Sequence, residues 1–225
     1  GLIKSQKKGL RDLPAQMDQV KKIARERTID ALLITIGGND ANFSELVYKA
    51  LSKKDASTDK GTLELFRKGL EMLPKRYADL NDDLSTIFWR PKIFITQYPD
   101  IVRKSETTYC DREPRDDRLE KIIEAESRWA AETVIKNLNE QIANAATKYR
   151  WILVDGIAEP FYNHGYCAVD PWVHTFNSAK KTQGTTGCIK SSLIHCIVSA
   201  GSVHPNYAGQ ELYRKRLREV MQANG

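Results

Sequence analysis

Residues 32–43 read LLITIGGNDANF, and this stretch decides how the rest of the chain is read. Its first residues are apolar and rich in β-branched side chains, the composition of a buried strand, and they run without a spacer into Gly-Gly-Asn-Asp. A strand that stops this abruptly presents a polar amide and a carboxylate at its carboxyl end. Upstream, Leu13, Met17, Val20 and Ala24 recur at helical spacing, so an amphipathic helix is expected over about 14–27, feeding the strand ALLITI. Downstream, Phe43, Leu46, Val47, Ala50 and Leu51 repeat the helical pattern.

The alternation continues along the chain. A polar loop, SKKDASTDKG, precedes a long helical region in which Phe66, Leu70, Leu73, Tyr77, Leu80 and Leu84 share a face, with Pro74 expected to kink or divide it. A second apolar run, Ile93 to Ile95, ends in TQYPD. A helix follows over about 118–148 with Leu119, Ile122, Trp129, Leu138 and Ile142 inward, and then a third strand, WILVDG. The last helix begins after GSVHPNYAGQ and carries Leu212, Leu217, Val220 and Met221 inward. Strands alternating with long helices predict βαβ crossovers: an α/β fold with a doubly wound, flavodoxin-like parallel sheet in three layers, α/β/α. Ile34, Ile95 and Leu153 are expected to be buried in that sheet. The segment 156–203 is long for a loop, and loops of that length are usually functional or specially braced.

Composition narrows the class. The chain has 225 residues, 41% of them hydrophobic, enough for one domain with a proper core. No apolar run approaches the roughly 18 residues of a membrane span. The opening GLIKSQKKGL has neither the apolar stretch nor the cleavage site of a signal peptide, and no initiator Met, so the sequence reads as a processed, trimmed or partial piece of something longer. Lys and Arg number 35 against 29 Asp and Glu, a net +6. The basic residues fall in scattered groups on amphipathic helices, with no aromatic-interleaved stripe, which argues against a nucleic-acid partner. Cys110, Cys167, Cys188 and Cys196 form an even set without a CxxC spacing; disulfides are expected in preference to zinc, and with them secretion. Of the three possible pairings we expect Cys110–Cys167, tying two strand-end loops together, and Cys188–Cys196, closing a short loop. No cofactor and no metal is expected.

In open α/β sheets the ligand site lies outside the carboxyl ends of the strands, so GGND, QYPD and DG should surround one crevice. Asn39 is then a candidate to point its amide into it, on a turn that Gly37 and Gly38 allow to pass close. His204 precedes Pro205, which keeps it out of the last helix and in the loop, placed to reach the same crevice. His164, His174 and His195 lie in the long loop and are read as structural or merely exposed.

At these residues the chain resembles a known family. IGGND after an apolar strand and SVHPNYAG before a final helix look like the third and fifth sequence blocks of the SGNH hydrolases, the GDSL esterases and lipases. QYPD with a later Cys110, and FYNHGYCAVDPWV with Cys167, resemble their secreted bacterial branch. The resemblance implies a carboxylic ester hydrolase in which Asn39 helps form the oxyanion hole, Gly37 and Gly38 shape its turn with Asp40 beside it, and His204 is the base that activates a serine. The family's Asp three residues before the His is replaced here by Gly201. Secreted members that use a main-chain carbonyl instead make the Gly201 carbonyl the expected orienter. The Gly-Asp-Ser block that would carry the nucleophile is nowhere in the 225 residues. The chain therefore reads as the larger, C-terminal part of a single such domain, its nucleophile upstream or on a separate N-terminal segment. The substrate implied is a lipid, acetylated-sugar or small ester. The competing reading is a catalytically inactive α/β domain binding a carbohydrate or acyl ligand in the same crevice. A basic module for anionic polymers is weaker still.

Overall fold

The computed structural model describes residues 6–8, 11–13, 15–24, 27–43, 46, 56–87, 91–111, 123–183 and 201–225. A short antiparallel hairpin, β1 (Gln6–Lys8) and β2 (Arg11–Leu13), opens the chain and was not expected from the sequence pattern. Helix α1 (Gln16–Ala24) leads into β3 (Ala31–Ile34), and α2 (Lys60–Ile87) into β4 (Lys92–Thr96). A continuous helical rod follows, made of α3 (Glu124–Trp129), a π-helical stretch (Ala130–Ile135) and α4 (Lys136–Tyr149). Then come β5 (Ile152–Val154), a 3-10 turn (Glu159–Asn163), α5 (Phe176–Gln183) and the last helix, α6 (Tyr207–Ala223).

Strands β3, β4 and β5 pair in that order, all parallel, with Ile34 opposite Ile95 and Ile95 opposite Leu153. Successive side chains of a strand point to opposite faces, and β4 shows the consequence. Ile95 packs with Leu73, Tyr77 and Leu80 of α2, Leu138 and Ile142 of α4 and Met17 of α1. Phe94 packs on the other face with Val154, Ile157 and Phe161, and takes Leu212, Leu217, Val220 and Met221 of α6. Helices thus cover both faces of a parallel sheet, the three-layer α/β/α arrangement that the alternation predicts.

Three details depart from expectation. Ile95 is fully buried, but Ile34 and Leu153 are only half-buried, because β3 and β5 are the edges of the sheet among the described residues and only β4 has a neighbour on each side. Pro74 does not divide α2, which runs unbroken from Lys60 to Ile87; it sits on the exposed side of the helix, while Leu73 and Tyr77 near it are buried in the core against the sheet. The helix expected from about 118 is helical from Glu124, after the preceding Ile123 in extended conformation, and its end at Tyr149 matches. Leu119, Ile122, Val47, Ala50 and Leu51 lie outside the described residues.

Candidate active site

The turn after β3 is built around its two glycines. Gly37 takes φ +116°, a backbone region that side chains rarely adopt, and a Cβ there would collide with the Tyr77 hydroxyl and lie 3.3 Å from Leu138 Cδ1. Gly38 lies against the ring of Tyr98, which a Cβ would approach to 3.0 Å, and its N–H donates to the Tyr98 hydroxyl at 3.0 Å. The chain then coils back on itself: Ala41 N–H donates to Gly37 O, Phe43 N–H to Gly38 O, and Asn42 takes φ +58°. Ala41, wholly buried, meets α2 at Gly69, where a Cβ would come within 2.9 Å of Ala41 Cα. What projects from this clamped turn is Asn39, exposed and with no side-chain hydrogen bond among the described residues, followed by Asp40, whose carboxylate faces Arg76 at 3.7 Å.

The turn after β4 locks onto the first. Thr96 and Thr35 share a hydroxyl hydrogen bond of 2.7 Å across the strand ends. Tyr98 is held from the opposite side by Asn139, whose amide accepts from Tyr98 N–H at 2.8 Å and donates to Tyr98 O at 2.9 Å. Burial raises the Tyr98 hydroxyl above its ordinary value, so it stays neutral and keeps its place against Gly38. Asp100 is spent differently: it is buried and accepts from Arg103 at 2.7 Å, and Arg103 lies between the rings of Tyr109 and Tyr162. After β5, Asp155 and Gly156 are taken up by Arg216 of α6, which donates to Asp155 O at 3.0 Å. The polar groups of the second and third turns are thus largely structural, and the first turn keeps an uncommitted amide.

The loop before α6 carries His204. Asn206 caps α6 by accepting from Ala208 and Gly209 N–H and donates to Pro171 O at 2.7 Å, anchoring the loop at its far end. The imidazole Nδ1 lies 3.0 Å from the main-chain carbonyl of Ser202. A carbonyl oxygen only accepts, so Nδ1 carries the proton and Nε2 holds a free lone pair. This corrects the expected orienter: the carbonyl on the ring belongs to Ser202, and Gly201 O instead accepts the backbone N–H of His204 at 3.2 Å. Phe43, four residues after Asn39, and Val203, next to His204, both pack against the Phe94–Val154–Phe161 cluster.

The other histidines behave as structural groups. His164 donates from Nδ1 to Asp170 O and stacks on Trp172 with ring centroids 3.8 Å apart; His174 faces Ser178 Oγ at 3.2 Å. His195, Cys188 and Cys196 lie outside the described residues, while Cys110 and Cys167 form the expected disulfide. It braces the long segment after β5 against the loop after β4, where Tyr166 N–H also donates to Ile101 O. Tyr98 and Ser202 are the site residues that sequence reasoning missed. Tyr98 stood in the quoted QYPD, but its partnership with Gly38 spans 60 positions and leaves no local signal.

A parallel sheet with helices on both faces places the chain among three-layer α/β/α proteins. No protein-family model and no curated relative matches it. Solved structures that share its fold include two Streptomyces proteins. One is phospholipase A1 from Streptomyces albidoflavus NA297, 19% identical, with a TM-score of 0.58 over 90% of this chain and 75% of that one. The other is an extracellular lipase from Streptomyces rimosus, 18% identical, with a TM-score of 0.58 over 91% and 76%. That likeness agrees with the SGNH resemblance carried by the sequence blocks. No helix among the described residues is long and apolar enough to cross a membrane.

Proposed function

We propose that this chain is the larger part of an SGNH-type serine ester hydrolase domain, secreted, whose nucleophilic serine is contributed by sequence outside these 225 residues. The observation that carries the reading is the hydrogen bond from His204 Nδ1 to Ser202 O. It fixes the tautomer in which Nε2 is free to act as a base, the task that a buried carboxylate performs in a complete triad. In this reading Nε2 takes the serine proton as Oγ attacks the ester carbonyl. Asn39 donates its amide N–H to the developing oxyanion, which Gly38 N–H does not do because Tyr98 already holds it. His204 then returns the proton to the departing alkoxide, and water, activated by the same imidazole, releases the acid. Gly37 and Gly38 keep the Asn39 turn in place, and Asp40 holds its edge toward Arg76.

The two Streptomyces neighbours make acyl-lipid esters the first substrates to test, ahead of acetylated sugars and small esters. The Cys110–Cys167 disulfide supports an oxidising, extracellular setting. The test compares the 225-residue chain with the protein extended upstream, on p-nitrophenyl butyrate and on phospholipid. The isolated chain should show little or no turnover. The extended protein should hydrolyse ester, lose activity to a serine-directed phosphonate and lose orders of magnitude in rate on His204→Ala. An extended protein inert across a broad ester panel, or indifferent to His204→Ala, would overturn the reading in favour of a domain that binds a carbohydrate or acyl ligand without turning it over.

A further inference from the structure

The contact between His204 and Ser202 O has a local cause two bonds away. Val203, between them, takes φ +62°. For a β-branched residue this left-handed conformation is an outlier, so the surroundings must over-determine it. In extended chain the carbonyls lie in the plane of the strand while side chains stand perpendicular to it, and the ring of one residue does not meet the carbonyl two positions earlier. A left-handed residue between them reverses the chain and brings the two together. His204 cannot supply that reversal itself, because Pro205 restricts it to extended conformations.

The neighbouring strand supplies the constraint. Val173 and Pro205 form an isolated antiparallel bridge, with Asn206 N–H donating to Trp172 O at 2.9 Å and His174 N–H to His204 O at 2.8 Å. In a regular ladder the next bond would run from His204 N–H to His174 O. Here Val203 N–H makes it, at 2.9 Å, so that two residues, 203 and 204, face one. This is a bulge, a device that re-aims a side chain. The Val203 side chain packs against the cluster of Phe94, Val154 and Phe161, which gives the position a reason to hold valine where glycine would be the unstrained choice.

We propose that Val203 is a positioning residue: its left-handed backbone, pinned by the bulged bridge to His174, turns the Ser202 carbonyl onto His204 Nδ1 and so sets the tautomer. The consequence for rate rests on the reading of His204 as the base; the structural part does not. The test uses 15N-histidine NMR on the protein extended upstream. In the neutral wild type, His204 should be the Nδ1–H tautomer, whereas free imidazole side chains favour Nε2–H, and the backbone shifts of residue 203 should report positive φ. Val203→Gly, which leaves the left-handed region open, should keep that tautomer. Val203→Pro, which closes it, should lose the tautomer and lower kcat tenfold or more with KM little changed. An Nε2–H tautomer or a negative φ at 203 in the wild type overturns the proposal whether or not the proline variant folds. So does a folded Val203→Pro protein with tautomer and kcat intact. If the tautomer shifts in the proline variant and the rate does not, the positioning role stands and the reading of His204 as the base falls.

Discussion

Replacing Gly37 by alanine should be among the most damaging one-carbon changes in this chain, and the structure separates the cost into two parts. The first is backbone: at φ +116° any L side chain is strained, at about 1–3 kcal/mol. The second is steric. The added Cβ would collide with the hydroxyl of Tyr77, a residue 1% exposed whose ring cannot retreat from the helix–sheet interface, and forced overpacking of this kind costs about 1–3 kcal/mol. The loss expected for Gly37→Ala is therefore about 2–6 kcal/mol. The two parts come apart in the Tyr77→Phe background. Deleting the hydroxyl removes the clash, since the next ring atom, Cζ, lies 3.5 Å from the Cβ position, an ordinary contact. The deletion itself should cost at most about 1 kcal/mol, because the bond it removes, to Ile36 O, is long at 3.4 Å. Urea unfolding followed by tryptophan fluorescence suits the measurement, as Trp151 packs edge-on against Tyr77. The double-mutant cycle should show a coupling of about 1–3 kcal/mol, the alanine being milder beside phenylalanine. Equal costs in the two backgrounds, within about 0.5 kcal/mol, would refute the steric half of the reasoning.

Asn39→Ala should behave oppositely: in the upstream-extended protein it should lower kcat by about 10² to 10³, while unfolding free energy stays within about 0.5 kcal/mol, since this exposed amide has no hydrogen-bond partner among the described residues. Arg103→Met should cost about 3–5 kcal/mol in urea titrations, because it strands the buried Asp100 carboxylate without its cation. That carboxyl also has a pH signature. Burial raises it above the ordinary carboxylate range despite Arg103, so the native state binds its proton more readily than the unfolded chain does. Its contribution to stability is full below the ordinary carboxylate range and is lost as pH rises through the raised value. Comparing urea midpoints of wild type and Asp100→Asn from pH 4 to 7 should isolate that slope. Replacing Cys110 and Cys167 together by serine opens a loop whose ends are 57 residues apart and should lower stability by up to about 4 kcal/mol, read from the same titrations.

The layers of this fold were legible in the sequence because each rests on local periodicity. Ile93–Phe94–Ile95 reads as strand, and Leu73, Tyr77, Leu80 and Leu84 read as one helix face, whatever lies opposite them. The candidate residues Asn39 and His204 were legible for a similar reason. A strand running into Gly-Gly-Asn-Asp, and a histidine held out of a helix by Pro205, are statements about single turns of chain. Burial at the sheet edges was not legible: Ile34 and Leu153 have the same side chains whether or not another strand lies beside them, and only the strand order decides their exposure. Nor were the clamps on the glycine turn, since Tyr77 lies in α2, 41 positions beyond Ile36, and Tyr98 follows β4, 60 positions beyond Gly38. The carbonyl that meets His204 shows the limit most clearly. Every residue carries one, so no side-chain pattern could distinguish Gly201 from Ser202. The choice was made by the sign of φ at Val203, and that sign is held by a bridge to His174, 29 positions back along the chain.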